Sequence, residues 1–160
     1  MSVTETEVLG LAALDKLLKE LPAKLEGTVV RGGLRAGASV LQKAARELAP
    51  VRTGALRKSI KVSTGIRNGR VFSRVRAGGA DAYYAHMVEF GTAAHIIKGK
   101  RGGWLNIGGR FALSVNHPGA MMKPFMRTAV DGFQGDAVAA MADYLRERTP
   151  REVAKIKAGG

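Results

Sequence analysis

A chain of 160 residues is long enough for one domain with a real core and too short for two comfortable ones. Its 46% apolar content includes no run long enough to span a bilayer, and the lack of cysteine excludes disulfides, thiolate catalysis and cysteine zinc sites. The net charge of +13 is unevenly placed: residues 31–76 carry twelve Lys/Arg against one acid, Glu47, for +11. Such a block invites nucleic acid or an acidic protein partner. The first seven residues are polar and acidic, the wrong charge for a leader, and the lack of cysteine fits synthesis in the cytoplasm.

Leu11, Leu14, Leu18, Leu21 and Leu25 alternate three and four apart, predicting an N-terminal helix that breaks at Pro22. A second helix is expected from Thr28 to Leu48, with Val30, Leu34, Leu41, Ala45 and Leu48 along one side and Pro50 ending it. Gly32, Gly33 and Gly37 weaken that helix by about 1 kcal/mol each relative to alanine, and they permit close approach of another backbone. Pro50 and Gly54 then mark a turn, Thr53 can cap the next element, and Ala55 to Ser59 have room for one helical turn. From Ile60 the period changes to two. Ile60, Val62 and Thr64, then Val71, Ser73 and Val75, flank Asn68-Gly69 and predict a β-hairpin. One face is apolar; the other is a basic surface carrying Arg67, Arg70, Arg74 and Arg76.

Tyr83, Met87 and Phe90 share one face of a short helix that Gly91 stops, which leaves Glu89 flanking apolar neighbours. A carboxylate there is costly unless a cation or a set of N–H groups satisfies it. The expected tie is to Arg52 or Arg57 in the preceding basic segment. Residues 93–120 form a long excursion containing a second hairpin that turns at Gly108-Gly109, and its basic approach, residues 98–103, is expected to be mobile. A last helix is predicted from Pro124 to about Arg148, with Met126, Val130, Phe133, Ala137, Met141 and Tyr144 at helical spacing. Thr149-Pro150 is expected to stop it, with a solvated tail beyond.

Constellations for chemistry are thin. His95 and His117 flank the excursion, but residues 93–120 contain no Asp, Glu or Cys to complete a metal site. His86 and Glu89 lie one helical turn apart, with no nucleophile or oxyanion donor to join them. No catalytic residue, metal or cofactor is therefore assigned. No helix-turn-helix, zinc-finger or RNA-binding signature accompanies the basic block.

The order of motifs is informative. Pro50-Val51-Arg52-Thr53-Gly54-Ala55-Leu56-Arg57-Lys58-Ser59-Ile60 is followed by Tyr84-Ala85-His86-Met87-Val88-Glu89-Phe90-Gly91-Thr92. After the excursion come His117-Pro118-Gly119 and Lys123-Pro124-Phe125-Met126-Arg127-Thr128-Ala129. Over residues 27–148 this resembles the tail-completion, or neck, family of long-tailed bacteriophages. The resemblance implies a non-enzymatic virion protein, assembled in the host cytoplasm, with no membrane partner. It would form a six-fold ring at the head–tail junction, contacting a head-closure protein, a tail terminator or the tail tube, with DNA in the channel. A tail terminator or other minor tail protein is the alternative within that setting, and a nonspecific basic nucleic-acid-binding protein is the alternative outside it. The expected fold is α+β: an antiparallel sheet of hairpins packed against N-terminal and C-terminal helices, with the long hairpin-like excursion. Residues 1–26 are read as a helical extension, 27–148 as the domain and 149–160 as a flexible tail. The excursion at 95–117 is the expected assembly element, through Ile96, Lys98, Lys100, Arg101, Trp104 and Phe111.

Overall fold

The computed structural model describes residues 23–158, so the leucine seam up to Leu21 and the break at Pro22 lie outside the described residues. In order, the elements are helix α1 (Ala23–Leu48), the short helix α2 (Ala55–Ser59), strands β1 (Lys61–Arg67) and β2 (Arg70–Arg76), and helix α3 (Ala85–Phe90). Strands β3 (His95–Lys98), β4 (Leu105–Ile107), β5 (Arg110–Ala112) and β6 (Ser114–His117) come next, and helix α4 (Phe125–Ala158) closes the chain. The fold is α+β. Its strands form three separate two-stranded antiparallel sheets rather than one continuous sheet.

The first hairpin follows its alternation. Val62 pairs with Val75, Thr64 with Ser73 and Ile66 with Val71 on one face. Asn68 and Gly69 both have positive φ, 50° and 73°, as the tight two-residue hairpin turn requires. The hairpin packs against α1, and α1 packs along α4.

The main core gathers Ala44 and Ala45 from α1, Ala49 just beyond its end, Leu56 and Ile60 around α2, Ala85 from α3, and Phe125 and Ala129 from α4. Leu56 and Ile60 are the buried positions of the Pro50–Ile60 motif, while its Val51 is exposed. Of its polar positions, Ser59 is tied on both sides: its Oγ accepts from the Gly78 amide at 3.0 Å and donates to the Leu56 carbonyl at 2.7 Å. Gly54 has φ 78°, a conformation that side chains rarely adopt.

The α1–α4 contact is built on glycine more than on leucine. A Cβ at Gly37 would stand 2.7 Å from the Ala137 carbonyl oxygen, and one at Gly32 would overlap the Tyr144 ring. Val29 and Leu145 form a second small core there, with Val153 packed against it. The predicted leucine side of α1 is only partly covered: Leu34 and Leu41 line a groove of about 310 Å³ with Val130 and Met141 of α4. Val130 and Phe133, in the apolar series at helical spacing, are exposed.

Pro150 does not stop the last helix. α4 runs on to Ala158 with the proline inside it. A proline there forfeits one backbone hydrogen bond. The continuation is supported by Val153 on the second core and by pairs one turn apart, Arg151–Glu147 at 3.1 Å and Lys155–Glu152 at 2.9 Å. The hydrogen bond from Lys155 holds the Glu152 carboxyl below its usual pKa.

Candidate assembly site at the base of the excursion

Helix α3 is six residues long and carries one buried charged side chain, Glu89, only 8% exposed. The tie expected with Arg52 or Arg57 is not what satisfies it. Glu89 Oε2 accepts from the Met126 amide at 2.8 Å, and Oε1 accepts from the Arg127 amide at 2.9 Å. Arg52 and Arg57 are both exposed.

The physical reason lies in the sequence around the start of α4. The first amides of a helix lack intrahelical acceptors, and an N-cap side chain ordinarily takes those of the second and third positions. The residue before Phe125 is Pro124, which offers no side-chain acceptor. Glu89 fills that role from another helix, and the positive end of the α4 macrodipole favours its charge. An arginine pair would leave those amides orphaned.

Three more contacts close the same junction. The Lys123 amide donates to the Val88 carbonyl at 2.8 Å, and Thr92 and Ala120 exchange two backbone hydrogen bonds at 3.0 and 3.1 Å. Gly91 sits at φ 72°, ψ −175°, a region essentially reserved for glycine, and a Cβ there would stand 2.7 Å from the Ala120 carbonyl oxygen. Gly119, at φ 90°, lies closer still, with a Cβ there overlapping the Thr92 carbonyl. Residues 93–119 therefore leave and re-enter the body through one clasp.

The excursion is a two-tier hairpin. Its lower tier pairs β3 with β6, from His95↔His117 to Lys98↔Ser114, and its upper tier pairs β4 with β5 about the glycine turn at 108–109. The approach expected to be mobile takes the form of a 3₁₀ turn over Lys100–Gly102. His95 and His117 stack with ring centroids 5.1 Å apart. Their Nδ1 atoms are occupied locally: His95 donates to the Ala93 carbonyl, and His117 accepts from the Gly119 amide. The two histidines thus serve the base of the hairpin as cross-strand neighbours.

The excursion exposes much apolar surface. Trp104 is 67% exposed and Phe111 66%, and Ile96, Ile107 and Leu113 are exposed with them. Lys98 and Lys100 are exposed among these, while the backbone at Arg101 belongs to the 3₁₀ turn. Below the clasp, a groove of about 600 Å³ runs between the Pro50–Leu56 segment, α3 and residues 120–123. Arg52 lines it, beside Val51, Met87 and Met121, of which Met121 is 91% exposed. Met121 and Met122, adjacent methionines in a Gly/Pro-bounded loop with no helical period, carry a sequence signal of apolar surface outside the core that the motif pattern alone does not single out. The four arginines of the basic surface, Arg67, Arg70, Arg74 and Arg76, are all exposed on β1 and β2, away from the clasp.

Residues 12–91 match the family described as "Bacteriophage HK97-gp10, putative tail-component", and the chain belongs to that family. The match starts earlier than the motifs suggested, inside the leucine seam, and stops at Gly91, where the excursion begins. No curated protein and no solved structure matches the chain. The protein is therefore a bacteriophage tail component. Among its described residues, no helix is long and apolar enough to cross a membrane.

Proposed function

We propose that the protein is a non-catalytic structural component of the phage neck, assembling as a six-fold ring at the head–tail junction in the virion. Assembly takes place in the host cytoplasm. The ring contacts a head-closure protein on one side and a tail terminator or tail tube on the other, with DNA running through its channel. The observation that carries this reading is the excursion: a clasped hairpin whose apolar side chains, led by Trp104 and Phe111, are exposed. Several large apolar side chains exposed together on one projecting element mark an interaction site. A ring subunit needs a rigid body and an extension that reaches its neighbour, a heterologous contact that closes by rotation. The deeply tied base supplies the rigidity and residues 95–117 supply the reach.

Deletion of residues 98–114 tests the reading. The variant is expected to remain a folded monomer, because the clasp and both cores lie outside the deletion, and to lose assembly. Rings formed by the deletion variant would overturn the role of the excursion.

A further inference from the structure

We infer that the outer face of the β1–β2 hairpin is a phosphate-backbone contact for duplex nucleic acid, made by Lys61, Arg67, Arg70, Arg74 and Arg76 without reading sequence. The register sets Lys61 directly opposite Arg76 and Arg67 directly opposite Arg70. Opposed residues of an antiparallel pair project from the same face, and like charges in that position are destabilising. All five side chains are exposed, and neither strand contains an acid. The ion pairs among the described residues lie within α4, none on this face. The fold therefore carries a repulsion that only something outside it relieves, and a polyanion does so directly.

The face favours nucleic acid over an acidic protein. Protein interfaces centre on apolar and aromatic anchors, and their cores are depleted of charge. Here the one aromatic residue, Phe72, is half-buried and already engaged. A Cβ at Gly65 would stand 3.1 Å from its ring, and the Arg74 guanidinium lies 4.7 Å from its centroid. Neither a protein anchor nor a stacking platform for an unpaired base is left. What remains is an open hollow of about 570 Å³ bounded by Arg67, Asn68, Arg70, Phe72 and Arg74. Arginine forks suit phosphate oxygens, and contacts confined to phosphates position a protein on a duplex without specifying sequence. These residues lie on different elements from the excursion, so the inference stands whether or not rings form.

The test is fluorescence anisotropy of the full chain with labelled duplexes of two unrelated sequences, titrated from about 50 to about 200 mM salt. Five phosphate contacts correspond to a log–log salt slope of about −4.5, or about a 500-fold loss of affinity across that range. The double variant Arg70→Gln/Arg74→Gln, whose altered side chains are both exposed, is expected to weaken binding to both sequences alike and to flatten the slope by about 2. No binding at the low-salt end, or an unchanged slope in the variant, would overturn the inference. Poly-glutamate displacing the duplex at equal charge would also overturn it, in favour of an acidic protein partner.

Discussion

Glu89 is the residue on which the junction turns. Its two oxygens satisfy two helix amides, and charge-assisted hydrogen bonds of this kind are roughly twice as strong as neutral ones. Removing the buried side chain leaves both part-buried donors without it, and an unmet buried donor costs about 1–3 kcal/mol. Glu89→Ala is therefore expected to lower unfolding stability by about 2–4 kcal/mol in urea titration. Glu89→Gln keeps one acceptor and turns an NH₂ toward the other amide, so a smaller loss of about 1–2 kcal/mol is expected. A change within about 0.5 kcal/mol for Glu89→Ala would mean that the cap contributes nothing. That Glu89 needs a partner is readable from a carboxylate among apolar neighbours. The identity of the partner is not, because it consists of backbone amides 37 and 38 positions away that carry no side-chain signature.

At the scale of elements, glycines of identical composition have opposite roles. Gly37 lets α4 approach α1, with no space for a Cβ against the Ala137 carbonyl, whereas a Cβ at Gly135 meets nothing within 4 Å. Alanine gains about 1 kcal/mol of helix propensity over glycine at either position. At Gly135 that gain stands alone, so Gly135→Ala is expected to stabilise by about 0.5–1 kcal/mol. At Gly37 overpacking outweighs it, and Gly37→Ala is expected to destabilise by about 1–2 kcal/mol. Thermal melts of the two variants, shifting in opposite directions, check both. Loss of stability at both sites, or gain at both, would contradict the packing described. The β1–β2 hairpin was legible because alternation and Asn68-Gly69 are local signals. The second hairpin was legible at its Gly108-Gly109 turn for the same reason. The packing of α1 was less so: its leucines suggested the buried side, but the tightest helix contact uses glycines that leave the leucines half-covered. Pro150 misled in the same way, since a local breaker carries no trace of the packing of Val153 against the second core.

The whole molecule separates its tasks. A body of two long helices and one hairpin holds the core, the clasp fixes where the excursion departs, and the basic hairpin face points elsewhere. The family match ends at Gly91, so the excursion and the helix that Glu89 caps lie beyond the matched region. Family membership thus gives the setting, a phage tail, while the assembly surface is argued from this chain's own exposed Trp104, Phe111 and Met121. In the proposed ring these exposed side chains would meet a neighbouring subunit. The most direct test is sedimentation velocity of the purified full chain across a concentration series. The account predicts a species of about six times the 17.0 kDa chain mass that dissociates on dilution without passing through a dimer of comparable population. A 17.0 kDa monomer at every concentration would contradict it.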